Sequence, residues 1–168
     1  AGGLLLTQGY RMERMTVWLD PAASEKGHQT IQGLYAIGSG GLFGKGLGQS
    51  MQKLGFLPEA NNDMIFSVIC EELGLFGALC VLALFFALIW RFMVIAVNAP
   101  DLYGSMIVVG VIAHIGIQVF INIAVATNTI PNTGIPLPFI SYGGSSLVFM
   151  LLEMGLVLSV SRYINVKK

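Results

Sequence analysis

The sequence predicts an all-α, polytopic integral membrane protein: three full membrane-crossing helices and one long loop outside the lipid. Two observations carry that class. Only 11% of the 168 residues are charged, where a soluble domain holds about 25%, and the mean hydropathy is +0.75. The apolar residues also gather into three runs, each near the roughly 20 residues a helix needs to cross about 30 Å of hydrocarbon. The formal net charge is zero, so nothing in the charge balance suggests a nucleic-acid partner. Cys70 and Cys80 fall in one apolar helical pattern with no CxxC pair, which argues against a zinc site or a disulfide framework.

Residues 1–9 read as the end of a preceding span, cut from a longer protein, and Arg11, Glu13 and Arg14 mark the exit into water. A large loop then fills 10–62. Asp20-Pro21 closes the short segment MTVWL, and 24–27 is a polar turn. Gln29–Ile37 places apolar residues at 31, 34, 35 and 37, which predicts a short amphipathic helix. Gly38–Gly48, GSGGLFGKGLG, is too rich in glycine to continue it. This stretch predicts a tight loop that hugs the membrane surface with close backbone approach. It is not a nucleotide loop: Ser39 stands where a P-loop needs glycine, Gly46 follows Lys45, and Phe43 breaks the GxGxxG pattern.

The first span covers 63–97. Leu73–Trp90 carries no charge, and the whole run would measure about 50 Å if straight. Its first turns are therefore expected to project past the hydrocarbon, placing Asp63 in the headgroup zone or a cavity above it. Trp90 and Arg91 suit the opposite interface, and NAPD at 98–101 is a turn. The second span, 102–127, holds no Asp, Glu, Lys or Arg. His114, Gln118 and Asn122 share one of its faces and are expected to bond neighbouring helices or line a cavity. The stretch 128–146 contains three prolines and three glycines. Such backbone lies at membrane depth only where protein or water covers it. The loop proper is taken as 128–141. The third span is 142–161, with one acid, Glu153, and 162–168 is the tail. Three spans put 10–62 and 128–141 on one side. The density of Lys and Arg beside the 98–101 turn and the tail favours the cytoplasm for the other side, whereas the raw count, spread over the longer loop, does not.

Three phrases now acquire weight together: YRMERMTVWLDP, IQGLYAIGSGGLFGKGLGQSMQKLGFLPEANNDMIFSVICEELG and IPLPFISYGGSSL. In order and spacing they resemble the C-terminal part of the SEDS proteins (shape, elongation, division and sporulation), the FtsW, RodA and SpoVE family, closest to the FtsW/SpoVE branch. The resemblance covers essentially the whole chain. It implies a fragment of a ten-helix protein of the bacterial cytoplasmic membrane, with 10–62 and 128–141 extracytoplasmic. It also implies a peptidoglycan glycosyltransferase that polymerises lipid II into glycan strands in division, cell shape or sporulation, beside a class B penicillin-binding protein. The family's key acid, in a Pro-Glu-x-x-x-Asp phrase, falls on Asp63. Asn62 and Met64 stand where members commonly carry Thr and Phe.

On spacing alone, Asp63 is an N-cap that complements the helix dipole. The resemblance makes it the catalytic base. Glycan growth needs a sugar hydroxyl to attack the anomeric carbon of a lipid-pyrophosphate sugar, and one positioned carboxylate supplies about 10²–10⁴-fold. If 63–72 is helical, Glu71 lies about 12 Å along the axis, too far for a paired-carboxylate mechanism; Glu59 precedes the helix. Lys45, Lys53, Arg11 and Arg14 are the candidate cations for the pyrophosphate, with backbone donors of Gly38–Gly48. A divalent cation is an alternative bridge, for which the sequence names no ligand set. Glu59, Ser141, Gly143, Gly144 and Ser145 are further candidates for the substrate cavity. Two other readings stand beside the transferase: a lipid II transporter with polar groups in its spans, and a division scaffold that recruits a transpeptidase.

Overall fold

The computed structural model describes residues 14–21, 27–50 and 63–164. Arg11, Lys53, Glu59, Lys167 and Lys168 lie outside them. A helical turn over 14–19 is followed by α1 (His28–Ser39), α2 (Ile65–Val97), α3 (Leu102–Ala126) and α4 (Gly144–Arg162). All regular structure among the described residues is helical. α2, α3 and α4 are each long and apolar enough to cross a membrane. At most 28% of the most apolar stretch of any one is buried by the rest of the chain, so their outer faces require lipid or further helices.

α2 and α3 pack antiparallel. Phe85, Phe92 and Ala96 meet Val108, Val111, Ile115 and Val119, and α4 adds Met150 and Val157 to the same core. The turn between α2 and α3 is well capped. Asp101 accepts from Gly104 N at 2.9 Å, and Ser105 Oγ donates to Ala96 O at 2.8 Å. At the other end, Asn122 Nδ2 donates to Asp63 O at 2.9 Å.

Those two ties correct the expectation of a straight first span. From Ser105 to Asn122, α3 runs about 26 Å, whereas Asp63 to Ala96 would need about 50 Å as one rod. The chain absorbs the difference at Gly74, whose φ of 67° and ψ of −166° are not helical. Only glycine adopts such a conformation readily. The segment 65–73 therefore turns back onto the bundle instead of standing out beyond it. The helix also starts at Ile65, two residues after Asp63, and α4 starts at Gly144 rather than at 142.

The break of α2 at Gly74 interrupts the helical ladder around it, and four of the main-chain groups affected are the carbonyls of Glu71 and Glu72 and the amides of Leu75 and Phe76. The glycine loop satisfies all four. Lys45 N donates to Glu71 O at 2.9 Å and Gly46 N to Glu72 O at 3.0 Å. Leu75 N donates to Gly41 O at 2.9 Å and Phe76 N to Leu42 O at 3.1 Å. In a low-dielectric setting each unpaired group would be costly. The glycines are needed because a Cβ at Gly44 or Gly40 would collide with the backbone of Glu72 or Cys70.

α1 runs alongside 65–73 in the same direction. Gln29 meets Asp63 near its start, Gly33 meets Ser67 in the middle, and Gly40 meets Cys70 just past its end. A Cβ on Gly33 would come within 3.3 Å of Ser67 Oγ, so a small residue permits the close approach.

Candidate functional site

Asp63 is half-buried in the turn that leads into α2. The N-cap position of α2 belongs to Met64, and no side-chain cap bond is made there. This corrects the capping expectation: a residue two places before the first helical turn is out of register for it. The carboxylate instead accepts from Gln29 Nε2 at 3.3 Å through Oδ1. Gln29 is delivered by the first turn of α1, so the parallel packing of α1 on 65–73 brings this donor to the acid.

Asn122 holds the main chain of the acid. Its amide donates to Asp63 O at 2.9 Å and to Ile135 O at 2.8 Å, and the residue is fully buried. One side chain on α3 thus joins the Asp63 turn to the proline-rich loop. The polar face read from the sequence divides by role. Asn122 braces two loops, and His114 Nδ1 lies 2.7 Å from Glu153 Oε1 on α4. Gln118 Oε1, between them in sequence, is buried and has no bonding partner among the described residues.

The loop after α3 is braced along its length. Trp18 Nε1 donates to Asn128 O at 3.0 Å and Arg14 to Asn132 O at 2.7 Å. Farther on, Leu137 N donates to Ser141 Oγ at 2.7 Å and Ser141 N to Leu137 O at 3.1 Å. Phe139 sits inside that small ring with φ at 63°, a left-handed conformation that is uncommon for a bulky residue. The strained turn forms one wall of an open cavity of about 390 Å³, lined by Ile65 of α2, residues 139–144 and Leu147 of α4. Ser141, Gly143 and Gly144 therefore line a cavity that reaches α2 two residues after Asp63. Ser145 is exposed in the first turn of α4 and does not line it.

Lys45 goes elsewhere. Its ammonium lies 2.7 Å from Glu71 Oε1, and Ser50 Oγ donates to the other oxygen at 2.5 Å. Ser39 at the end of α1 reaches the same carboxylate at 3.5 Å. Glu71 is fully buried, and a buried carboxylate requires such a set of partners. Glu71 and Lys45 thus hold the glycine loop against the break in α2. Among the described residues, no three His, Cys, Asp or Glu side chains gather as a metal-ligand set. Two contributors escaped sequence reasoning. Gln29 was one polar residue of an amphipathic helix, and Gly74 was one glycine in an apolar run.

Comparison with known proteins gives a consistent result. The model of the FtsW, RodA and SpoVE family, described as cell cycle protein, matches residues 3–166. Stage V sporulation protein E of Bacillus subtilis (strain 168) is 56% identical over 165 residues, covering 96% of this chain and 44% of that protein. The probable peptidoglycan glycosyltransferase FtsW of the same organism is 46% identical over 163 residues, covering 96% and 40%. The chain thus spans less than half the length of these curated relatives. Among solved structures, a peptidoglycan synthase complex, described in terms of the structural coordination of polymerization and crosslinking, superposes with a TM-score of 0.71. It is 31% identical and covers 94% of this chain and 43% of the other. The rod shape determining protein RodA of Thermus thermophilus superposes with a TM-score of 0.60 at 39% identity, covering 78% and 39%.

Proposed function

This chain belongs to the FtsW, RodA and SpoVE family of cell cycle proteins, and from that premise we propose that it is the C-terminal part of a peptidoglycan glycosyltransferase. Its substrate is lipid II and its product a growing glycan strand, made at the outer face of the bacterial cytoplasmic membrane. Residues 10–62 and 128–141 face that outer side. The likeness to a peptidoglycan synthase complex supports a class B penicillin-binding protein as the partner that crosslinks the product.

The observation that carries the reading is the state of Asp63. Its carboxylate is not spent on a helix cap, its main chain is fixed by Asn122, and a cavity walled by 139–144 reaches Ile65, two residues further along the chain. In this mechanism the carboxylate takes the proton of a sugar hydroxyl as that oxygen bonds to the anomeric carbon. The bond from that carbon to the pyrophosphate oxygen breaks, and the lipid pyrophosphate leaves with the electron pair. Pyrophosphate is a good leaving group, so one base suffices, and its positioning is worth about 10²–10⁴-fold. Glu71 does not serve as a second carboxylate, because Lys45 and Ser50 already occupy both of its oxygens.

Ser141, Gly143 and Gly144 contact the substrate on the cavity wall in this reading. Lys53 and Glu59, in the stretch just before Asp63, are assigned to the phosphates and sugar, and Ser145 to the rim. Lys45 is reassigned from the phosphates to the loop that it pins.

The test compares lipid II polymerisation by the full-length protein, with its transpeptidase partner, in native and Asp63→Asn forms. Asparagine keeps the size and polarity of the side chain and removes the base. A loss of about 10²-fold or more is expected. Equal product from both would reject the base role and return the transporter and scaffold readings.

A further inference from the structure

The glycine loop carries an exposed apolar tip on a base that is hydrogen-bonded to the main chain of α2. Leu42, Phe43 and Leu47 are 65%, 84% and 76% exposed. Isolated exposed apolar residues are ordinary, but a contiguous group marks an interaction surface. These three are also placed, not scattered: Gly41 and Leu42 accept from the amides of Leu75 and Phe76. Leu75 and Phe76 are themselves exposed at the start of the straight part of a membrane-crossing helix.

We propose that the tip of this loop is a lipid-surface anchor, with Leu42, Phe43 and Leu47 seated in the boundary between headgroups and acyl chains of the leaflet that α2 enters at Gly74. Three features favour lipid over water or protein as the occupant. The first is continuity, since the tip extends the same apolar surface that α2 presents around Leu75 and Phe76. The second is polarity. Lys45 is the only charged residue of 40–48, and it turns its ammonium onto Glu71, away from the tip. The third is the backbone. Gly44 N donates to Gly40 O at 2.8 Å, and Lys45 N and Gly46 N donate into α2, so these amides carry no desolvation cost at a poorly hydrated boundary. Such an element sinks about 5–10 Å into the interface. The anchor would set the height of the α2 break, and through 65–73 the height of the acid, relative to the lipid.

The experiment uses the full-length protein reconstituted in vesicles of phosphatidylcholine and phosphatidylglycerol. A Phe43→Trp substitution places an indole at the tip, and the native protein in the same vesicles is subtracted to remove Trp18, Trp90 and any other tryptophans. An aromatic replacing an 84% exposed aromatic leaves the fold intact. The expected result is blue-shifted added emission, quenched about twofold by phosphatidylcholine brominated near the headgroup and less by bromine near the chain ends, as for a ring at the interface. Leu47→Trp is the second reporter and should behave alike. Blue-shifted emission that no brominated lipid quenches would overturn the proposal and assign the tip to a protein partner. Unshifted emission quenched by aqueous iodide would overturn it in favour of water.

Discussion

Asn122 and Asp63 are joined by a hydrogen bond of 2.9 Å in which the buried amide of one donates to the main-chain carbonyl of the other, leaving the carboxylate out of the contact. The same amide reaches Ile135 O at 2.8 Å. A bond to the main chain fixes the residue without using its carboxylate, whose Oδ1 accepts from Gln29 at 3.3 Å.

Asn122→Ala should therefore cost both stability and activity. Two carbonyls lose their donor in a fully buried place, at about 1–3 kcal/mol. Asn122→Asp offers no amide donor and should lose as much. Thermal unfolding of the full-length protein in detergent, with lipid II polymerisation alongside, checks both. An unchanged melting temperature in the two variants would mean the brace is not needed.

Gly74→Ala should be severe. At φ 67° and ψ −166° a side chain costs about 1–3 kcal/mol in strain alone, and its Cβ would lie 2.6 Å from Leu42 O. Gly110→Ala is the contrast. Nothing lies within 4 Å of a Cβ there, and alanine in a helix interior gains about 0.5–1 kcal/mol. Opposite shifts in melting temperature are expected; similar shifts would contradict the kinked geometry.

Lys45→Met should destabilise more than Lys45→Arg. Removing one partner of a buried pair costs about 3–5 kcal/mol, and the lower end applies because the Lys45 side chain is 34% exposed. Glu71→Gln should be milder than Lys45→Met, since it removes the buried charge while keeping a side-chain oxygen for Ser50 Oγ to donate to. Melting temperatures of the three variants decide the order.

His114 and Glu153 meet at 2.7 Å between the middles of α3 and α4. A double-mutant cycle with His114→Leu and Glu153→Leu should give a coupling of about 0.6 kcal/mol, rising to about 1.7 at most, as for other polar pairs within membranes. Zero coupling would show that the two side chains do not hold these helices together.

Hydropathy is a sum over neighbouring residues, so three membrane-crossing helices, read as 63–97, 102–127 and 142–161, were legible without any fold, and charge content pointed away from a soluble domain. Three phrases in register named the family and pointed to Asp63. The sequence could not show that α2 breaks at Gly74, because one glycine in an apolar run looks like any other. Nor could it show that Gly41, Leu42, Lys45 and Gly46 supply the bonds α2 gives up there. Main-chain groups are the same on nearly every residue, so which distant pair meets leaves little trace in side chains beyond the glycines that permit contact. The fates of Lys45, turned to Glu71, and Asn122, turned to the backbone of Asp63, were likewise decided by tertiary structure. A polar side chain reveals its need for a partner locally, but the partner is chosen by whichever segment packing brings within about 3 Å.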